Sequence, residues 1–175
     1  LFGLSRGCSL RLLRKEALCV IGAGWLVASV IGALPYAIVD ADVGLADAFF
    51  ESASGLTTTG ASIYGDVEVL PRSLLFWRGL SQWLGGMGVV VFFVAILGFL
   101  GAGAKVLYSN EASGSTADFD QPRVQSAGLN LWLVYLALSA VCAGAFLVGG
   151  MNLFDALVHM FTTVSTGGFS TRNAS

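Results

Sequence analysis

Along the chain, long uncharged apolar runs alternate with short ones. Leu18 to Val39 carries no charge over 22 residues, with Pro35 near its end. Gly79 to Ala104 carries none over 26 residues, and Val124 to Phe154 none over 31. At about 1.5 Å per residue, some 20 helical residues cross the ~30 Å hydrocarbon core of a bilayer. The first run therefore predicts a membrane span, and the second predicts another that begins near Ser73. The third run is too long for one plain helix. It predicts a span over about Gly128 to Gly149, a turn at Gly149-Gly150 and the start of a further, shorter helix. A cleavable leader fits the first run poorly, because the run is too long and lacks a clean small-x-small cleavage site before a soluble domain.

The short runs, Leu45 to Leu56 and Leu153 to Val164, hold 12 residues each. At about 1.5 Å per residue each covers roughly 18 Å, enough to enter a bilayer but not to cross it. Both end in a Ser/Thr and Gly cluster, and they repeat one another. Leu45 to Ser62 reads LADAFFESASGLTTTGAS, and Leu153 to Ser170 reads LFDALVHMFTTVSTGGFS. Overlaid without a gap at an offset of 108, they share Leu45/Leu153, Asp47/Asp155, Ala48/Ala156, Thr58/Thr166, Gly60/Gly168 and Ser62/Ser170. The unit is span, half-helix, polar Gly loop, span, the pattern of a re-entrant pore loop. It divides the chain into a flank (1–17), a first unit (18–104), a hydrophilic loop (105–127, its polar part Lys105 to Arg123) and a second unit (128–175) cut off after its loop. The predicted fold is an all-α membrane protein.

Composition supports lipid as the solvent. Only 11% of residues are charged and 55% are hydrophobic, against roughly 25% charged in soluble domains. Mean hydropathy is +0.78. A net charge of −2 argues against a nucleic-acid partner. Cys8, Cys19 and Cys142 lack metal-ligand spacing and read as small apolar residues. Arg6, Arg11, Arg14 and Lys15 precede the first span, which puts that end in the cytoplasm. Lys105 and Arg123 agree, whereas Arg72 and Arg78 fall on the outer side. The outer stretch holds six acids, Asp40, Asp42, Asp47, Glu51, Asp66 and Glu68, which would raise the local cation concentration.

Non-helical backbone at membrane depth persists only where protein buries it or where it lines a watery cavity. Carbonyls facing such a cavity can replace the water shell of a monovalent cation. Gly allows the backbone angles that aim successive carbonyls inward. Thr57-Thr58-Thr59-Gly60-Ala61 and Ser165-Thr166-Gly167-Gly168-Phe169 supply these ingredients. Each half-helix also turns its partly negative C-terminus toward its loop, which favours a cation.

At these residues the chain resembles the Trk/Ktr/HKT superfamily of potassium transporters, in its TrkH type. The resemblance rests on TTTGAS, QWLGGMG (within Trp77 to Phe92) and STGGFS in that order, with the stretch around Leu107 to Arg123 between them. It covers nearly the whole chain. It implies a potassium-channel-like architecture of four span–pore-loop–span repeats around one pore, with potassium held by backbone oxygens around one Gly per repeat. Carried over, the ion-binding strands are Thr58, Thr59 and Gly60, then Thr166, Gly167 and Gly168. Thr57, Ser165, Glu51, Asp47, Asp155, Gly85 and Gly86 are supporting candidates. The ungapped overlay pairs Gly60 with Gly168, whereas a threonine-led alignment chooses Gly167; both stay open. Neither loop has the GYG of potassium channels, which implies looser selectivity among alkali cations. The resemblance further implies the bacterial inner membrane, a cytosolic nucleotide-binding regulatory subunit and a homodimer of the full-length protein. No covalent cofactor is expected, and potassium is the substrate. The chain holds two filter strands where such a pore needs four, so it is a fragment or combines with a second copy. The missing last span of the second unit favours the fragment.

Plainer readings stand beside the sharp ones. Gly85, Gly86 and Gly88 sit in an apolar span without a preceding strand, so close helix packing outweighs a dinucleotide loop; the resemblance puts them behind the filter. Asp47 and Asp155 stabilise helix starts or attract cations. Glu51 lies inside the first half-helix, where an ionisable group is costly, and contacts the pore mouth or bonds behind the filter. His159 takes its place in the second unit and reads as a packing or hydrogen-bonding residue. Arg78 snorkels or pairs with an outer acid, with filter support as the lesser reading. Trp25, Trp77, Trp83 and Trp132 read as interface anchors or packing. For function, potassium uptake leads, and a non-transporting membrane scaffold or assembly subunit is the alternative. An intramembrane enzyme is poorly supported, since no paired carboxylates, Ser/His or Cys/His pairing or metal cluster lies in the spans.

Overall fold

The computed structural model describes residues 14–89 and 121–174. Helix α1 (Arg14–Val39) is the first span and α2 (Leu45–Leu56) the first half-helix. Residues 72–89 form α3 as far as it is described. Helices α4 (Gln121–Val148) and α5 (Leu153–Val164) repeat the span and half-helix. No strand occurs among the described residues. Residues 90–104 of the second predicted span, the loop from Lys105 through 120, Arg6, Arg11 and Cys8 lie outside them.

The half-helices have the predicted bounds, and α3 starts at Arg72, one residue from the expected Ser73. Helix α4 departs from expectation. It begins at Gln121, seven residues before Gly128, so Arg123 is helical rather than part of the loop. The lipid boundary sets where the apolar run begins, not where the helix begins. Pro122 suits a first turn because its missing N–H would have no partner there. The span ends as predicted. Met151 N–H bonds Phe146 O, Gly150 N–H bonds Leu147 O, and Gly150 takes φ +92°. This is a Schellman stop with Gly in the left-handed position.

Cys19–Val39 and Gly128–Val148 are each 21 residues, long and apolar enough to cross a membrane. Their outward faces carry exposed Leu26, Val30, Ile31, Leu34, Leu129, Leu133, Leu138 and Val141. Exposed apolar stripes of this size fit lipid contact. Helix α2 packs on α1, and α5 on α4. A buried core joins Tyr36, Ala48, Leu70, Leu74 and Leu75.

Helix α3 stands between the two half-helices. A methyl group on Gly85 would collide with the Leu56 carbonyl at the end of α2. On Gly86 it would meet Ser165 at the end of α5 and the Tyr135 hydroxyl, and on Gly88 the Trp25 ring. These glycines thus permit close approach, as small residues do between membrane helices. Tryptophans fix α3 to both spans: Trp77 Nε1 donates to Gly32 O at 3.0 Å, and Trp83 Nε1 to Ser139 Oγ at 3.0 Å. Trp132 is exposed on α4. Cys19 and Cys142 are unbridged.

Candidate functional site: two equivalent loops

Each half-helix ends in the same hydrogen-bonded turn. Thr59 N–H donates to Ser54 O and Thr58 N–H to Gly55 O. In the second unit Gly167 N–H donates to Thr162 O and Thr166 N–H to Thr163 O. The bonds again differ by 108 in number. Both are Schellman closures, yet the left-handed position holds threonine rather than glycine. Thr58 has φ +55° and Thr166 φ +56°, the two positive-φ non-Gly residues among those described. A β-branched residue in that region is a genuine outlier and carries strain of about 1–3 kcal/mol.

Two residues on, Gly60 takes φ +76° and Gly168 φ +81°. The backbone therefore resolves the register. Gly168, not Gly167, is the conformational counterpart of Gly60. The two loops also touch: a side chain on Gly60 would run into the Gly167 carbonyl. Thr57 turns its hydroxyl back to Ala53 O at 2.7 Å and lies 2.8 Å from Thr59 Oγ1. Ser165 does likewise to Phe161 O at 2.8 Å. Thr59 and Gly168 are exposed, whereas Gly167 is buried. An open cavity of about 400 Å³ lies against the second loop, lined by His159, Thr162, Thr163, Thr166, Gly168, Phe169 and Ser170.

Buried polar groups hold the loops from behind. Glu51 is fully buried; its carboxylate accepts from Ser62 Oγ at 3.0 Å and from Ile63 N–H at 2.9 Å. Arg78 Nη2 lies 3.0 Å from Glu51 Oε1 and donates to Ser62 Oγ at 3.0 Å. Its guanidinium also lies over the Phe169 ring of the second loop, 4.3 Å from the centroid, and nearer the edge of reach over Tyr64 at 5.4 Å. Of the readings open for Arg78, pairing with an acid holds and snorkelling does not, since the residue is 2% exposed. Glu51 accordingly bonds behind the loop. His159, its counterpart, meets Asp155 O through Nδ1 at 2.8 Å and Ser170 Oγ through Nε2 at 3.4 Å. Glu51 with Ser62 and His159 with Ser170 are thus the same pair of positions.

Asp155 serves the helix start. Asn152 Oδ1 accepts from Asp155 N–H at 2.9 Å, and Asn152 Nδ2 donates to Asp155 Oδ2 at 2.8 Å, a reciprocal cap. Thr171 Oγ1 also donates to it at 3.0 Å, and Arg172 lies at 3.7 Å. Burial pushes the Asp155 carboxyl up, but the bonds from Thr171 and Asn152 and the Arg172 charge outweigh it, leaving its pKa below the ordinary value. Asp47 is exposed on α2, whose N-cap, Gly44, offers no side-chain bond. Asn173 joins the two units. It donates from Nδ2 to Asp66 Oδ1 at 2.7 Å, accepts from Val67 N–H at 2.8 Å and donates its own N–H to Glu68 at 3.3 Å. Burial, with the nearby Asp40 charge, pushes the Tyr64 phenol up to about 12.

One residue escaped the sequence reading. Gln82 is fully buried on α3 and reaches the loop of the other unit. Its Nε2 donates to Gly167 O at 2.8 Å, and its Oε1 accepts from Phe169 N–H at 3.2 Å. The signal was present: a lone amide in an uncharged apolar run, within the QWLGGMG already noted, is a polar group in lipid that needs a partner. Among the described residues no group of His, Cys, Asp and Glu could hold a metal ion.

Comparisons with known proteins agree with the helical architecture. Residues 10–175 match the family model TrkH, described as cation transport protein. The Trk system potassium uptake protein TrkH of Vibrio parahaemolyticus is 43% identical over 163 residues, covering 92% of this chain and 34% of that protein. TrkG of Escherichia coli, likewise a Trk system potassium uptake protein, is 40% identical over 169 residues, covering 95% and 35%. The crystal structure of the potassium transporter TrkH from Vibrio parahaemolyticus superposes with a TM-score of 0.79 at 38% identity, covering 97% of this chain and 33% of that one. The chain thus spans about a third of the length of the curated relatives it matches.

Proposed function

The chain belongs to the TrkH family of cation transport proteins, and from that premise we propose that it contributes two of the strands that line a potassium-uptake pore. In this reading a potassium ion sheds water against backbone oxygens of Thr58, Thr59 and Gly60 on one side and of Thr166 and Gly168 on the other. Gly167 serves as the point where the second strand is held. The observation that carries the reading is the repeated left-handed backbone at Thr58/Gly60 and Thr166/Gly168. A left-handed residue re-aims the carbonyls of its strand, so residues two apart, such as Thr166 and Gly168, can turn their oxygens to one side and stand in for a hydration shell. Each half-helix brings the partly negative end of its dipole to the same place.

The outer acids Asp40, Asp42, Asp47, Asp66 and Glu68 would gather cations at the entrance. Glu51 is excluded from that role by its burial and its bond to Arg78. The flank before α1 faces the cytoplasm of a bacterial inner membrane, and the half-helices enter from outside. The full-length protein works as a homodimer with a cytosolic nucleotide-binding subunit.

The test is rubidium uptake into potassium-uptake-deficient cells that express the protein as its gene encodes it. Gly60→Asp should abolish uptake while membrane insertion stays intact. Unchanged uptake would take the first loop out of the ion path, and a well-inserted wild type without uptake would favour a scaffold.

A further inference from the structure

We propose that Gln82 is a positioning residue that sets the cation selectivity of the second loop; this rests on the filter reading above. Its amide makes two bonds, and they fall on either side of Gly168. The first holds the carbonyl of the Gly167–Gly168 peptide, and the second holds the N–H of the Gly168–Phe169 peptide. Both planes that flank the left-handed glycine are therefore pinned to one rigid group on α3. No described peptide bond is cis, and in a trans peptide the C=O and N–H point to opposite sides. Holding Phe169 N–H toward α3 therefore turns the Gly168 carbonyl away from α3. Holding Gly167 O toward α3 takes that oxygen out of the pore. The burial pattern agrees, with Gly167 buried and Gly168 exposed.

The contact also crosses between units. Gln82 belongs to the first unit and the strand it holds to the second. Gly60 of the first loop abuts the same Gly167 carbonyl. Where Gln82 places that carbonyl thus fixes the spacing of the two strands. Spacing decides which dehydrated ion the oxygens fit. Buried bonds of this kind are costly to leave half made, so removing the amide frees two peptide planes rather than weakening one contact.

The experiment compares wild type, Gln82→Met and Gln82→Glu in the gene-encoded protein. Met keeps the volume and loses both bonds. Glu keeps the acceptor for Phe169 N–H and sets an oxygen against the Gly167 carbonyl. Uptake of potassium, rubidium and sodium is measured in potassium-uptake-deficient cells, together with the rise in Tm that potassium or sodium gives the purified protein. For Gln82→Met the potassium-to-sodium ratio of kcat/KM should fall about tenfold, the scale of one or two buried hydrogen bonds. The change should lie in KM, the potassium-induced Tm rise should shrink, and Gln82→Glu, whose oxygen repels the Gly167 carbonyl, should lower the ratio at least as far.

Either variant reaching the membrane at wild-type level with wild-type ion ratios and Tm response would overturn the proposal. Failure of both to insert would make Gln82 a folding residue and would overturn it too. The filter reading fails separately, by Gly60→Asp retaining uptake in the same cells.

Discussion

A threonine at φ +55° is strained, and the chain keeps one at the end of each half-helix where glycine would relieve it. A strained residue held twice at equivalent positions points to a use for its side chain. Thr58→Gly and Thr166→Gly should each raise stability by about 1 kcal/mol, the low end of left-handed strain, while weakening rubidium uptake. Thermal unfolding without potassium, run beside uptake, reads both. The two positive-φ glycines should differ in the opposite sense. Gly168→Ala meets nothing within 4 Å among the described residues and adds only backbone strain, whereas Gly60→Ala also runs into the Gly167 carbonyl. Uptake should therefore fall further for Gly60→Ala than for Gly168→Ala. The ungapped overlay contained this register, since identical residues at a constant offset mark identical turns. The threonine strain was not legible, because Thr does not announce a left-handed angle as Gly or Asn does.

At the scale of elements, the half-helices were written in the sequence. An apolar run of 12 residues between a helix-start acid and a Ser/Thr and Gly cluster has few other solutions, and both runs fold over those bounds. The start of α4 was hidden because hydropathy reports the lipid boundary and a helix can outrun it. The close crossing at Gly85 was legible only as a tendency, since the sequence does not say which backbone comes near. Gly85→Ala should lower Tm, since a methyl against the Leu56 carbonyl forces α3 off α2, an overpacking of about 1–3 kcal/mol. Gly24→Ala, which meets nothing within 4 Å among the described residues, is the control and should not lower Tm. The start of α5 carries a pH dependence. Asp155 has a lowered native pKa, so its contribution is present above the unfolded value of about 3.9 and is lost as pH falls through the lower native value. Asp155→Asn should remove that acid-side dependence, read as Tm against pH between wild type and variant.

Over the whole molecule, the two units are joined through side chains of the first that reach the loop of the second. Gln82 holds Gly167 and Phe169, Arg78 lies over Phe169, and Asn173 returns the connection to Asp66 and Glu68. The Glu51–Arg78 pair is buried at both ends. Breaking one partner of such a pair typically costs about 3–5 kcal/mol, whereas replacing both with apolar residues costs far less. Arg78→Met should therefore destabilise the protein strongly, and Glu51→Leu with Arg78→Met should recover part of the loss, measured as Tm of the purified protein. Sequence alone named Glu51, Arg78 and the loops but not their meeting. Charges 27 positions apart in two different helices carry no mark of which acid takes which base.

The most direct test of a cation path through these loops is anomalous scattering from crystals of the gene-encoded protein grown in rubidium. The expected result is a peak in direct coordination with backbone oxygens of the Thr58–Gly60 and Thr166–Gly168 strands. That peak should vanish when sodium replaces rubidium as the only alkali cation present. Peaks confined to Asp40, Asp42, Asp47, Asp66 and Glu68, with none between the two strands, would contradict the assignment of these loops as the ion-holding element.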